Sequence, residues 1–467
     1  MEAADARTWT DFARDQFGGC RLGDERLTQR AVITAEAVMR HPGGTLPAKL
    51  RGNELLGFYR LANNRKVTHA KMLECHREKT ERRMDAVVGV VLLISDTTEA
   101  DFSGLESVED LGPIGNGSCR GLLCHNVLAV DYDKRMVLGL ANQVTHKRRR
   151  VSKTETMRQK RDAPERESRL WKRALEDVPV ATGTAAPGQL RVHVCDRGAD
   201  AFENIEFWEN RGEKYVIRSK SNRKIVAEDG TKYRLHDYAR QLKRVGERTI
   251  GVSENHGQPA RVARIEIGFA RVILPAPRQR RGEHTNQPLA SCVVQVREVD
   301  APKGVTPLEW ILLSNVPVHG VEDAWLRVEW YRCRPIIEEF HKAMKTGCGV
   351  ELVQFTTRKA LEVSLALLSV VATQLVRLRD LSRDERAKDQ PASEVIDPIY
   401  VEVLSLMLFK QVKPLTTHEF CMALAKLGGH LGRKSDKRPG WLVLWRGWMQ
   451  LQPMVQAIEV DRRRRCA

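Results

Sequence analysis

The chain has 467 residues with 77 lysines and arginines against 60 aspartates and glutamates, giving a formal net charge of +17. This length predicts two to four domains with ample cores, and the basic excess is typical of proteins that bind a polyanion. Ten cysteines at irregular spacings favour reduced thiols over a disulfide framework, and they form no regular zinc pattern. Charged residues near the N-terminus argue against a signal peptide, so we expect a cytoplasmic protein.

Residues 1–85 are charged and carry a helical pattern. The run from 31 to 40 is helix-like, and the stop at His41-Pro42-Gly43-Gly44 follows it directly. Basic side chains here, Arg26 and Arg30 among them, are candidates for contacts with backbone phosphates. A solvated charged surface is the alternative for each of them.

From about residue 86 the pattern becomes α/β. The predicted elements are a strand at 86–95, a hairpin of strands at 122–130 and 136–144, a charged helix at about 155–177 that Pro164 can break, a strand at 190–195, a helix at 201–211 and a strand at 214–219. Asp96 and Asp196 each end an apolar strand. Carboxylates placed this way can hold hard divalent ions, although an isolated aspartate after a strand is more often a turn former.

Short alternating runs between about 222 and 316 predict a β-rich insertion. Its strands are expected at 249–252, 261–269, 291–299 and 310–313. The chain then returns to a helical pattern that carries Glu338 and continues, from about 351, to the end. The apolar run 361–378 is interrupted by Glu362 and Arg377, so it predicts a buried helix rather than a membrane span.

Four residues near Glu338 have a regular spacing. Arg334, Glu338 and Lys345 follow Tyr331 at offsets of 3, 7 and 14, which places all four within roughly 60° on one helix face. Pro335 is welcome only at a helix start, so we expect a break near Arg334, with Glu338 and Lys345 still on one face beyond it.

The string Tyr331-x2-Arg334-x3-Glu338-x6-Lys345 resembles the signature of cut-and-paste DDE transposases of the insertion-sequence-four family. Further blocks that resemble this family run nearly end to end, at 22–26, 95–98, 167–171, 195–200, 218–220, 306–310 and 440–448. The resemblance implies an α/β fold with a ribonuclease-H-like catalytic core, interrupted by a β-rich insertion and flanked by helical domains. The implied domains are a DNA-binding domain at 1–85, the core at 86–221 and 317–350, the insertion at 222–316, and a dimerisation domain at 351–467.

The implied activity is metal-dependent nicking, hairpin formation and strand transfer at transposon ends in the bacterial cytoplasm, near the nucleoid. Asp96, Asp196 and Glu338 would bind two Mg²⁺ ions, with Mn²⁺ as a substitute. The implied partners are double-stranded transposon ends with terminal inverted repeats, target DNA, and a second copy of the chain in the paired-end complex. A DNA-binding regulator that does not cut, and a nuclease that only hydrolyses, are the alternatives.

The resemblance also implies DNA contacts. Tyr331, Arg334 and Lys345 would position phosphates, and Trp310 would stack a flipped base unless it is a core residue. Arg218 and Lys220 would line the DNA channel unless they only solubilise the surface. The second tryptophan that follows the signature arginine in the family is replaced by Pro335, which puts a second aromatic wedge in doubt. Two dimer surfaces are candidates: a stripe of Leu361, Leu365, Leu368, Val371 and Leu375, and the block of Trp441, Trp445 and Trp448.

Overall fold

The structure is a computed structural model that describes residues 9–40, 44–152, 154–180, 185–252, 259–278, 284–433 and 438–466. Its N-terminal region is helical, as predicted, with α1 (Trp9–Phe17), α2 (Glu25–Arg40), α3 (Leu46–Lys49), α4 (Asn53–Asn63) and α5 (His69–Asp85). α2 ends at the predicted stop, of which residues 41–43 lie outside the described residues. α5 begins at Thr68, whose side chain accepts a hydrogen bond from the Lys71 backbone N–H.

Within the described residues, twelve strands form one sheet. They are β1 (Val90–Asp101), β2 (Gly112–Ile114), β3 (Cys119–Asp131), β4 (Met136–His146), β5 (Leu190–Cys195), β6 (Lys214–Arg218), β7 (Lys224–Ala227), β8 (Lys232–Arg234), β9 (Gly246–Val252), β10 (Arg261–Leu274), β11 (Leu289–Val299) and β12 (Glu309–Ser314). The order is β2-β3-β1-β5-β6-β12-β11-β10-β7-β8, with β4 on β3 and β9 on β10.

The first five long strands form one half of the sheet, in the order β4-β3-β1-β5-β6. β3 is antiparallel to β1, whereas β5 and β6 are parallel to it. Alternate residues of β1 face different cores: Leu92 and Ile94 pack towards the N- and C-terminal helices, and Val91 and Leu93 face the opposite side. A mixed sheet of this order, covered on both faces and flanked by helical regions, is consistent with the predicted ribonuclease-H-like core.

Two details of the core differ from the prediction. Asp96 does not end its strand, because β1 continues to Asp101 along the long partner strand β3, with Asp101 opposite Gly121. The charged helix expected at 155–177 is two short helices, α6 (Met157–Asp162) and α7 (Leu170–Glu176), which lie on either side of Pro164. The next helix, α8 (Phe202–Asn210), lies where it was expected.

The β-rich insertion is part of the same sheet. β12 pairs antiparallel with β6, with Leu312 opposite Arg218 and Leu313 opposite Ile217. All four strands predicted here fall within observed strands, while β7, β8 and the short helix α9 (Leu235–Gln241) were not predicted. The insertion therefore extends the sheet beyond β6.

The remaining helices are α10 (Val321–Tyr331), α11 (Pro335–Lys342), α12 (Arg358–Leu381), α13 (Pro398–Phe409), α14 (Thr417–Leu427) and α15 (Trp441–Cys466). The break expected near Arg334 is confirmed, because α11 begins with Pro335 at its first position. Among the described residues, only α12 is long and apolar enough to cross a membrane, and 83% of its most apolar stretch is buried inside the protein. α12 is therefore the buried core helix that the sequence predicts.

Candidate active site

Three elements bring the predicted acidic residues together. Asp96 lies within β1 and Asp196 directly follows the parallel neighbour β5, so the two residues are side by side, with Ser95 opposite Cys195. Glu338 lies in the first turn of α11, which packs on β1 through its buried apolar face. The sequence-predicted triad thus converges on one site, although its members are separated by up to 242 positions.

One guanidinium joins the three carboxylates. Nη2 of Arg334 lies 2.7 Å from Asp96 Oδ2 and 3.9 Å from Asp196 Oδ2. Nη1 of Arg334 donates to Glu338 Oε1, one helical turn further along. Although burial lowers the pKa of Arg334, attraction by Asp96, Glu338 and Asp196 raises it above its ordinary value. The site therefore holds three carboxylates and a single permanent cation.

Asp96 is the most enclosed of the three carboxylates. Its side chain is 14% exposed, against 33% for Asp196 and 48% for Glu338, so the site opens on the side of Asp196 and Glu338. Burial raises the pKa of Asp96 to about 6, Arg334 opposes this rise, and the neighbouring carboxylates add to it. The attraction of Arg334 is thus too weak to offset the effects that disfavour a negative charge on Asp96.

The donor set suits a hard divalent cation. Carboxylate oxygens are the ligands that Mg²⁺ takes in proteins, and the three here all contact the Arg334 guanidinium. Within the described parts of the chain, no three acidic, histidine or cysteine side chains are already arranged around a metal position. Arg334 contacts all three carboxylates, so this guanidinium would have to withdraw before a metal ion could bind them.

The predicted aromatic residues lie beside this site. The rings of Trp310 and Tyr331 meet edge to face, with centroids 5.5 Å apart. Tyr331 is buried, which raises its pKa, and Arg218 lies near its hydroxyl group. Arg218 also donates to the Glu309 carbonyl at 3.0 Å. Trp310 is half-buried on β12, so it is neither a fully enclosed core residue nor a free surface ring.

Four other predicted DNA contacts lie outside the acidic cluster. Lys345 pairs with Glu351 at 3.0 Å, and it sits in a π-helical turn, Ala343–Gly347, that breaks the α-helical phase expected from Glu338. Lys220 has an exposed side chain, and Arg26 is exposed and paired with Asp24 at 2.9 Å. Arg30 packs against Gly57. None of the four contacts the triad within the described residues.

A buried polar network behind the triad was not predicted. His341 of α11 contacts Asn126 at 3.1 Å, and Asn126 Oδ1 accepts from Gln143 at 2.7 Å. Gln143 in turn contacts His69 at 2.9 Å. The network fixes the helix that carries Glu338 to β3, β4 and α5. Asn126 and Gln143 are polar residues within apolar strands. Because buried polar side chains need hydrogen-bond partners, these two residues are the sequence feature that could have predicted the network.

A comparison with known proteins identifies the N-terminal segment. Residues 9–67 match the family model described as transposase DNA-binding. The matched segment spans α1 to α4 and ends just before α5. The chain therefore carries a transposase DNA-binding domain, which supports a transposase that binds DNA and agrees with the predicted role of the N-terminal region.

Proposed function

We propose that the chain is a DDE transposase, similar to the insertion-sequence-four family, that performs cut-and-paste transposition. The observation that carries the proposal is the convergence of Asp96, Asp196 and Glu338 on Arg334 in a chain with a transposase DNA-binding domain. A protein that only binds DNA gains nothing from three carboxylates gathered where a phosphate would lie, because they repel it.

Asp96, Asp196 and Glu338 would hold two Mg²⁺ ions, with Mn²⁺ as a substitute. When bound, such ions activate water and stabilise charge on the attacking and leaving oxygens of a phosphodiester. Arg334, released from the carboxylates, would bind a phosphate oxygen through its planar fork, beside the Tyr331 hydroxyl group. Nicking, hairpin formation, hairpin opening and strand transfer are all in-line displacements, so one site would serve each step with a different nucleophile.

Trp310 would assist hairpin formation. Bending two strands sharply together strains the terminal base pair, and stacking on an aromatic ring offsets part of the cost of extruding a base. The half-buried position of Trp310 and its edge contact with Tyr331 support this role, because one part of the ring is fixed while another stays accessible.

The paired-end complex would need a dimer surface, and the two predicted surfaces do not supply one. The stripe on α12 and the tryptophans of α15 are all buried in this chain. The end of α13 instead exposes four consecutive apolar residues, Leu406 to Phe409, and Val412 follows nearby. We propose this exposed run as the contact with a second copy, since apolar patches of this kind mark interaction sites.

The experiment that tests the proposal uses the full chain, Mg²⁺ and a labelled duplex that carries the terminal inverted repeat. A transposase yields nicks, then hairpins, then joints to target DNA. A mobility shift without cleavage would support a regulator, and nicks without hairpins would support a nuclease. Asp196→Asn is the matched control, because it should bind the duplex and leave it uncut.

A further inference from the structure

A basic cleft lies next to the acidic site. It has a volume of about 930 Å³ and is lined by the run Lys147–Arg150, which follows β4, together with Arg173 of α7 and Arg358 of α12. The cleft therefore joins the end of the edge strand to helices on both faces of the sheet. Neither the acidic triad nor the Tyr331–Trp310 pair lines it.

Two of these cations are not neutralised by the protein. Lys147 and Arg358 both pair with Asp110, Arg148 pairs with Glu99 and Glu167, and Arg149 pairs with Glu155. Arg150 and Arg173 are exposed and have no acidic partner among the described residues. Seven cations and the three carboxylates of Glu109, Asp110 and Glu165 line the cleft, so its net charge is positive, and its two exposed guanidinium groups have no ion-pair partner among the described residues.

The cleft is connected to the acidic site by β1. Glu99 lies three residues beyond Asp96 on this strand and contacts Arg148 Nη1 at 3.3 Å. Three residues of strand span about 10 Å, and side chains three residues apart on a strand face opposite sides of the sheet. The cleft therefore approaches β1 about 10 Å from Asp96, on the face opposite the Asp96 side chain.

We propose that this cleft binds the phosphate backbone of the transposon-end duplex, with Arg150 and Arg173 each contacting a phosphate. This inference rests on the proposed function, since it takes the acidic site as the point where DNA reacts. Guanidinium groups suit the contact because they bind phosphate through two parallel hydrogen bonds.

The test compares the double variant Arg150→Gln/Arg173→Gln with Lys232→Gln/Lys388→Gln. The control removes two exposed cations, one on β8 at the far edge of the sheet and one beyond α12. Binding of the labelled terminal-repeat duplex is measured over a series of salt concentrations. Each lost phosphate contact reduces the slope of log affinity against log salt by about 0.9, so the cleft variant should lose about 2 in slope and the control should lose none.

Ethylation of single phosphates locates the contact. Interference with wild-type binding at discrete phosphates, absent in the cleft variant, is expected, and its position shows whether the contact lies on the transposon or the flanking side. An unchanged salt slope in a cleft variant that melts like the wild type overturns the inference. Both measurements report binding alone, so failure of the wild type to nick would refute the proposed function without being mistaken for failure of the cleft.

Discussion

Two adjacent glutamates of α11 enter two different arginine clusters. Glu338 contacts Arg334 together with Asp96 and Asp196, so three carboxylates share one cation. Glu339 contacts Arg379 at 2.7 Å and lies 3.8 Å from Arg383, and Arg379 also binds Asp380. The second cluster has two cations for two carboxylates, and Arg379 is fully buried.

The two clusters differ in net charge, and this difference distinguishes a cluster that stabilises the fold from the candidate active site. The Glu339 cluster is neutral and centred on the buried Arg379–Asp380 pair, and Asp380 Oδ2 also accepts the Val137 backbone N–H at 2.8 Å. It therefore holds α11, α12 and β4 together. The Glu338 cluster carries excess negative charge at an open edge, which costs stability and suits added cations. Four predictions test this contrast, beginning with the largest expected effect.

The largest expected effect is a difference in nicking activity between Glu338→Gln and Glu339→Gln. Glu338→Gln should reduce nicking by about a thousandfold or more, since loss of a ligand disables metal-assisted attack worth several kcal/mol. Glu339→Gln should leave nicking largely intact and lower the free energy of unfolding by about 1–3 kcal/mol. Single-turnover nicking and denaturant melts check both variants. Equal loss of nicking in the two would contradict the contrast.

Trp310→Ala should slow one reaction step, hairpin formation, at the candidate active site. Stacking of a base on an aromatic ring is worth about 1–3 kcal/mol, so hairpin formation should slow by up to roughly a hundredfold while the first nick is spared. Assays on intact and pre-nicked ends measure the two steps separately. A parallel fall in both rates, with a lower melting temperature, would make Trp310 a packing residue.

Asp96→Asn should stabilise the metal-free protein. The pKa of Asp96 is raised to about 6 in the folded state, so above that pH the carboxylate opposes folding by up to about 3 kcal/mol. The gain from asparagine should be full above about pH 6 and should vanish as the pH falls below the ordinary pKa of 3.8, where the folded and unfolded carboxyl groups are both protonated. Melting curves without metal give the difference directly. A destabilised variant at pH 8 would be the opposite result.

The smallest effect concerns Arg334. Because its guanidinium contacts all three carboxylates, it competes with metal ions, and Arg334→Gln should bind Mn²⁺ about tenfold more tightly, or about 1.4 kcal/mol. The same variant should cleave DNA poorly, because it loses a phosphate contact. Calorimetric titration with Mn²⁺ in the absence of DNA tests the first part. Weaker Mn²⁺ binding would show that Arg334 supports the metal site.

Much of this architecture could be predicted from local patterns. Alternating apolar runs identify β1, β5 and the insertion strands, and Pro335 marks the start of α11. The resemblance to the family signature, rather than a local pattern, favoured Glu338 over Glu339, and the structure places Glu338 beside the guanidinium that contacts Asp96 and Asp196. The features that local patterns did not predict are contacts between residues that are distant in sequence. The pairing of β12 with β6, the extension of β1 past Asp96, and the network through Asn126, Gln143 and His341 each need contacts across many residues.

The dimer surface shows the same limit. Helical spacing identified an apolar stripe on α12, but spacing cannot tell whether such a stripe faces the monomer core or a second copy. The structure assigns the stripe to the core and leaves the end of α13 exposed.

Under the proposed function, Asp96, Asp196 and Glu338 form a cation site distinct from the neighbouring cluster around Glu339. Electron paramagnetic resonance titration of Mn²⁺ into the wild type, Glu338→Gln and Glu339→Gln tests it without relying on activity. We expect the wild type and Glu339→Gln to bind Mn²⁺ alike, and Glu338→Gln to bind at least about tenfold more weakly. Equal affinity in all three proteins, or equal weakening in the two variants, would contradict the account.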